Sequence, residues 1–234
     1  MEKILNTAIV CAAGSGVRMG SSVKKQWLPL KGIPIIIHTL TRFFQSPIIQ
    51  NIIIPAPEED LKYCEELIAQ YFSASEKPWL VLSGGQERQD SIFAALQHCP
   101  SNTNLVFIHD AVRPFVTEEL IQELYEIAKK DKAVVPVTRI KNTVKKIAED
   151  YIVETVPRDN LVQALTPQVF SYELIMATYS KAYEDGYIST DDSALVEYYG
   201  AKVRYQFCSA LNLKITDELD LFFAEKIIEH NLIQ

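Results

Sequence analysis

The stretch Ala12 to Lys25 (AAGSGVRMGSSVKK) holds the residue types that a polyphosphate requires. Ala12, Ala13, Gly14, Ser15 and Gly16 are small enough for a ligand to approach the main chain and hydrogen-bond to consecutive N–H groups. Glycine there also permits the φ > 0 geometry of an anion-binding nest. Arg18 and Lys25 follow as cations, with Lys24 beside the latter as a second candidate ammonium. Neither better-known phosphate loop is present: G-x-x-x-x-G-K-[ST] is absent, and the third glycine position of G-x-G-x-x-G is Met19.

Two further segments carry chemistry. Ser83–Ser91 (SGGQERQDS) joins a tight turn to a polar helix start, suited either to reading a base or ribose or to a plain turn with Asp90 as N-cap. Ile108–Pro114 (IHDAVRP) ends an apolar run with an acid and a guanidinium. Asp110 can hold Mg²⁺ that also binds nucleotide phosphates, or pair with Arg113 to shape the loop. His109 reads as a packed strand-end residue. Thr143, Arg158 and Lys214 are weak signals taken singly, and no nucleophile–base set or H-E-x-x-H motif is present.

These residues need elements to position them. Apolar runs at Thr7–Cys11, Asn51–Pro55, Trp79–Ser83, Leu105–His109 and Ala133–Val137 predict strands. Helical periodicity predicts helices near Pro34–Gln45, Glu58–Phe72, Asp90–His98 and Thr117–Lys130. The last has Glu118 and Glu119 at its start and Lys129 and Lys130 at its end, matching the helix dipole. Such alternation implies a parallel sheet covered on both faces, with a ligand site at the carboxyl ends of the strands. The candidate phosphate loop, Gly84-Gly85 and Asp110 all fall at such ends. From Thr138 the texture becomes polar, and Thr143–Ile147 and Tyr151–Val156 predict a hairpin arm whose exposed strands need a cover. Then follow Gln163–Val169, a helix Tyr172–Glu184, a short helix after Thr190-Asp191-Asp192, a strand Lys202–Cys208 and a C-terminal helix from near Asp217. One domain, 1–234, with an arm at about 138–156 is expected.

The 234 residues are 48% hydrophobic and carry a net charge of −7, which disfavours a nucleic-acid partner but not a small anion. Cys11, Cys64, Cys99 and Cys208 are scattered without C-x-x-C spacing, as in reduced cytoplasmic proteins. Met1–Cys11 is too short and too poorly charged for a signal peptide, and no apolar run nears membrane-spanning length. A soluble, cytoplasmic protein with no membrane partner is expected.

In order along the chain, AAGSGVRMG…KKQW, GGQERQDS, HDAVRPF, the arm, ALTPQ, TDDSALVE and NLKIT resemble the 2-C-methyl-D-erythritol 4-phosphate cytidylyltransferase family. The ribitol-5-phosphate cytidylyltransferases share most of this pattern, but TDDSALVE looks more like the methylerythritol enzymes. The resemblance implies a Rossmann-like α/β fold, a mostly parallel sheet with helices on both faces and a protruding β-hairpin arm. It implies a homodimer through that arm, with CTP and a sugar or polyol phosphate as substrates and Mg²⁺ as cofactor. Ala12, Ala13, Gly14, Ser15 and Gly16 would wrap the nucleotide, and Gly85, Gln86 and Ser91 would contact the cytidine. Arg18 and Lys25 would stabilise the transition state. Asp110 would meet metal and substrate with Arg113 beside it. Lys214 and Arg158 would position the sugar phosphate, with Thr143 and Arg158 reaching the neighbouring subunit's site.

Overall fold

Alternating side chains on short apolar strands send one set of residues to each face of a sheet, and both sets are apolar here. A computed structural model describes residues 4–14 and 23–233. The first half runs β1 (Leu5–Cys11), a short β2 (Pro29–Leu30) and β3 (Ile33–Pro34), α1 (Ile35–Gln45), β4 (Asn51–Ala56), α2 (Leu61–Phe72) and β5 (Trp79–Ser83). It continues with α3 (Arg88–Gln97), β6 (Thr103–Asp110), α4 (Glu118–Asp131) and β7 (Ala133–Arg139). The arm is β8 (Val144–Ala148) and β9 (Tyr151–Val156). After it come β10 (Val162–Ala164), β11 (Gln168–Ser171), α5 (Tyr172–Asp185), α6 (Asp192–Tyr198), β12 (Arg204–Phe207) and α7 (Glu218–Glu229).

The main sheet has the order β10-β7-β11-β6-β1-β4-β5, with β12 also on β7. β6, β1, β4 and β5 are mutually parallel, and β12 is parallel to β7. β10 and β11 each pair antiparallel with β7, and β11 also pairs antiparallel with β6. The segment expected at Gln163–Val169 is thus two strands divided by Leu165-Thr166-Pro167. Proline supplies no N–H to a ladder, so the pairing breaks there. The result is the mostly parallel, Rossmann-like α/β sheet with a separate antiparallel hairpin arm.

On β1, Ala8 and Val10 face a core with Ile52, Phe107, Leu40, Phe43 and Leu124, under α1, α2 and α4. Ile9 faces the opposite core with Ile53, Ile108, Ile92, Ile175 and Leu195, under α3, α5 and α6. A third cluster joins Leu30, Ile35, Val112 and Phe115 to Ile215, Ala224 and Ile227, seating α7 beside the loop after β6. α4 starts where expected: the Thr117 hydroxyl accepts the Leu120 N–H at 3.2 Å.

Register is what makes a site. Cys11 pairs with Asp110 across β1 and β6, and Ala56 pairs with Ser83 across β4 and β5. The Ala12 N–H donates to the Pro55 carbonyl at 2.8 Å and the Gly84 N–H to the Ala56 carbonyl at 2.8 Å. Four strands therefore end on one line, and the loops that leave them converge. Among the described residues, no helix is long and apolar enough to cross a membrane.

Candidate active site

At that line of strand ends lies a cavity of about 270 Å³. From β1 come Ala12, Ala13 and Gly14, with Lys25 from the limb that returns towards β2. From the turn after β5 come Gly85, Gln86, Arg88 and Ser91; from β6 comes Asp110, and from the stretch before α7 comes Lys214. Ser15, Gly16 and Arg18 lie outside the described residues. Arg113 supports the site through Asp110. Thr143 and Arg158 lie elsewhere, exposed on the arm and just after it, with Arg158 Nη1 donating to the Lys141 carbonyl.

Gly84 and Gly85 act by space, not by left-handed geometry. Gly14, Gly84 and Gly85 do not take positive φ, so the φ > 0 geometry that glycine permits in this stretch is not used at Gly14, and Gly16 lies outside the described residues. A Cβ on Gly84 would meet Ala13 Cβ at 2.3 Å, and one on Gly85 would meet Asp90 Cβ at 2.1 Å. Asp90 is not the N-cap of α3. Glu87 is, and Asp90 closes a capping box by accepting the Glu87 N–H at 3.0 Å. Ser91 Oγ accepts the Gly85 N–H at 3.0 Å and donates to the Glu87 carbonyl at 3.1 Å. Its hydroxyl therefore holds the turn, which leaves Gly85 and Gln86 facing the cavity.

The two neighbouring lysines separate cleanly. Lys24 Nζ pairs with Asp60 Oδ2 at 2.8 Å and with Glu59. Lys25 lines the cavity. Between them and Trp27, the buried Gln26 donates from Nε2 to the Ala12 carbonyl at 2.7 Å and to the Gly14 carbonyl at 3.3 Å, joining the two limbs of the loop.

Asp110 is the electrostatic centre. Its Oδ2 meets Arg113 Nε at 3.0 Å and Lys214 Nζ at 3.0 Å, and its Oδ1 faces Arg88 Nε at 3.6 Å. Burial would raise its pKa, but the charges of Arg88, Lys214 and Arg113 outweigh burial and hold it well below the usual carboxylate range. Arg88 in turn pairs through Nη2 with the fully buried Asp192 at 2.8 Å, and Tyr179 Oη donates to the other Asp192 oxygen at 2.5 Å. Three cations around one carboxylate, with Asp192 offsetting one of them, leave a positive surplus for an anionic ligand.

The supports behind Asp110 are neutral. The Asp110 N–H donates to Thr166 Oγ1 at 3.2 Å, and that hydroxyl meets His109 Nδ1 at 2.9 Å. His109 Nε2 lies 3.0 Å from the Arg113 carbonyl, so it is the protonated nitrogen and Nδ1 accepts. Burial pushes the His109 pKa down to about 4, so the ring is neutral at pH 7 and both nitrogens are engaged. Asn212 ties the last segment in: its Nδ2 donates to the Thr166 carbonyl at 2.8 Å, and its own carbonyl accepts from Arg113 Nη1 at 3.1 Å. Burial also raises the Cys11 thiol above its ordinary value, so it remains protonated.

The chemistry of this donor set fits a cation delivered with phosphates. Mg²⁺ takes one or two carboxylates and completes its shell with phosphate oxygens and water. Among the described residues there is no cluster of three His, Cys, Asp or Glu, and Asp110 offers one hard oxygen, Oδ1, beyond hydrogen-bond distance of its neighbour.

A family model for 2-C-methyl-D-erythritol 4-phosphate cytidylyltransferase matches residues 6–230. The chain belongs to that family. The cytidylyltransferase of this name from Bacillus anthracis is 40% identical over 222 residues, covering 95% of this chain and 97% of that protein. The one from Halalkalibacterium halodurans is 39% identical, covering 95% and 96%. The crystal structure of 4-diphosphocytidyl-2C-methyl-D-erythritol synthase from Anaerococcus prevotii aligns with a TM-score of 0.84 at 31% identity, over 97% of this chain and 99% of that one. That of the Francisella tularensis cytidylyltransferase aligns with a TM-score of 0.79 at 29% identity, over 95% and 99%.

Against the residues expected of this family, the cavity gathers Ala12, Ala13, Gly14, Lys25, Gly85, Gln86, Ser91, Asp110 and Lys214. Sequence reasoning passed over Arg88, Asp192, Gln26, Thr166 and Asn212. Arg88 and Asp192 sit inside GGQERQDS and TDDSALVE, and their only signal was that each motif carries charges, a guanidinium in the first and a pair of adjacent acids in the second.

Proposed function

We infer that this cytidylyltransferase moves a cytidylyl group from CTP to 2-C-methyl-D-erythritol 4-phosphate, giving 4-diphosphocytidyl-2-C-methyl-D-erythritol and pyrophosphate. The observation that carries the reading is the meeting, at one line of strand ends, of the glycine turn, Lys25, Lys214 and the cation-ringed Asp110. The acceptor phosphate attacks the α-phosphorus in line: a new P–O bond forms as the bond to the β-phosphate oxygen breaks. A phosphomonoester is mostly dianionic above its second pKa of about 6, so no general base is needed. His109, neutral and doubly hydrogen-bonded, is a strut in this scheme.

The protein's task is to align two anions that repel each other and to neutralise charge on the equatorial and leaving oxygens. Lys25 serves the triphosphate, with Arg18 its expected companion. Lys214 serves the acceptor phosphate, since it is paired with Asp110 yet 37% exposed at its side chain. Ala12–Gly14 with Ser15 and Gly16 wrap the nucleotide, and Gly85 and Gln86 read the cytosine side while Ser91 shapes their turn. Asp110, kept anionic by Arg88, Arg113 and Lys214, would hold Mg²⁺. When bound, that ion supplies further neutralisation of the phosphate oxygens.

The arm belongs to the same reading. Ile147, Tyr151, Ile152 and Val153 are exposed on a two-stranded hairpin that cannot bury them alone. We propose a homodimer in which the arm is covered by the partner subunit and brings Thr143 and Arg158 to the partner's acceptor phosphate. The whole chain then acts as one domain with an arm. Four free thiols support a cytoplasmic location.

The test is pyrophosphate release with CTP and Mg²⁺, comparing methylerythritol phosphate with ribitol 5-phosphate. Release dependent on the first acceptor supports the reading, and release only with the second reassigns the acceptor. No release with either, from protein that binds CTP, overturns it.

A further inference from the structure

We propose that Lys24 is a positioning residue: with Asp60 and Trp27 it forms a clamp that fixes the return limb of the phosphate loop and so aims Lys25 into the cavity. This rests on the reading of Lys25 as a triphosphate ligand. Asp60 Oδ2 is shared by two donors, Lys24 Nζ at 2.8 Å and the Trp27 indole Nε1 at 2.9 Å. Glu59, next to Asp60, takes the same ammonium. The two donors flank the single 3₁₀ turn Lys25–Trp27, in which the Trp27 N–H donates to the Lys24 carbonyl at 3.0 Å and the Leu28 N–H to the Lys25 carbonyl at 3.2 Å.

One such turn has little stability of its own. It is held from both sides here. Gln26 ties it inward to the Ala12 and Gly14 carbonyls, while Lys24 and Trp27 tie it outward to the short helix before α2. Trp27 is buried and its ring meets Tyr63 edge-on at 5.3 Å, so the anchor is fixed in the core. Lys25 and Gln26 both line the cavity, and with the Gln26 amide bound to the Ala12 and Gly14 carbonyls and Lys24 turned to Asp60 and Glu59, Lys25 is the charged group that this turn brings there.

A looser turn spends less time in the binding-competent arrangement, and apparent affinity falls by that fraction, whereas the bound state is unchanged at saturation. Lys24→Met should therefore raise the KM for CTP about fivefold, the scale of a partly exposed ion pair, with kcat within about twofold. Lys24→Arg should restore the KM. Asp60→Asn should resemble Lys24→Met, and the double variant should be no worse than either single one, because both remove the same contact.

A readout independent of catalysis is hydrogen exchange of the Trp27 and Leu28 amides in nucleotide-free protein, which should quicken in Lys24→Met. Unchanged exchange overturns the clamp whatever the enzyme's substrate. Faster exchange with an unchanged KM overturns its role in positioning. A kcat loss of 100-fold in Lys24→Met would instead make Lys24 the ammonium that acts on the reacting phosphates. If the wild-type protein released no pyrophosphate while the exchange result held, the assigned reaction would fail and the clamp would stand.

Discussion

A methyl group added at Gly84 would meet Ala13 Cβ at 2.3 Å, Ser91 Oγ at 2.8 Å and the Ala56 carbonyl oxygen at 3.4 Å. Carbon atoms rest about 3.5–4.0 Å apart, so Ala13 and the turn after β5 must part by more than about 1 Å. Neither side yields easily. Ala13 Cβ is one bond from the main chain, and Ser91 Oγ is held by the Gly85 N–H and the Glu87 carbonyl. Displacements of about 1 Å in a positioning loop cost on the order of 100-fold in rate. Overpacking costs about 1–3 kcal/mol, and each kcal/mol lowers Tm by about 2–4 °C at this chain length. Gly84→Ala should therefore fold, lose roughly 100-fold in kcat/KM for CTP in a pyrophosphate-release assay, and melt several degrees lower. Gly14→Ala is the control. Among the described residues nothing lies within 4 Å of its added Cβ, so Tm should hold while the KM for CTP rises. Activity of Gly84→Ala within threefold of wild type would refute the idea that the two loops are spaced by this contact.

Lys25→Ala should lower turnover at least about 100-fold at unchanged Tm, the scale of one preorganised electrostatic contact; steady-state kinetics with saturating CTP checks this, and near-normal turnover would remove Lys25 from the reaction. Asp192→Asn removes the buried charge paired with Arg88 and should destabilise by about 2 kcal/mol, less than a fully buried pair because Arg88 is 31% exposed at its side chain. Urea titration measures that loss, and an unchanged midpoint would mean that the pair contributes nothing. His109 is neutral in the folded protein down to about pH 4, whereas an unfolded histidine protonates near pH 6.5. The unfolded chain thus binds the extra proton between those values, and stability should fall by roughly 3 kcal/mol as pH drops from about 6.5 to 4. A His109→Asn variant should lose that slope in urea titrations at several pH values; the same slope in the variant would refute the assignment.

The elements themselves were legible because strand and helix periodicities are local. The strand at Trp79–Ser83 has the expected bounds, and the neighbouring strands differ only by residues at their ends. The start of α3 was misplaced at Asp90 because a capping box contains two acids three residues apart, and only backbone geometry tells N-cap Glu87 from N3 Asp90. β10 and β11 overlap the one segment expected at Gln163–Val169, and both pair with β7; the break at Leu165-Thr166-Pro167 divides them, and only the tertiary structure shows that the second strand also pairs with β6.

The residue types of the site were likewise legible: small residues and cations after β1, a glycine turn after β5, and an acid after β6 announce phosphate chemistry by themselves. Their partnerships were not. Lys24 and Lys25 are adjacent cations of one kind, and they part company only because Asp60 and Glu59, more than 30 residues on, come within reach of the first. Arg88 joins Asp110 to Asp192 across more than 100 residues. Composition and spacing determine which groups are available within a turn or a strand. Which ammonium faces the cavity, and which carboxylate keeps its charge, is decided by long-range packing that brings opposite charges within a few ångströms of one another.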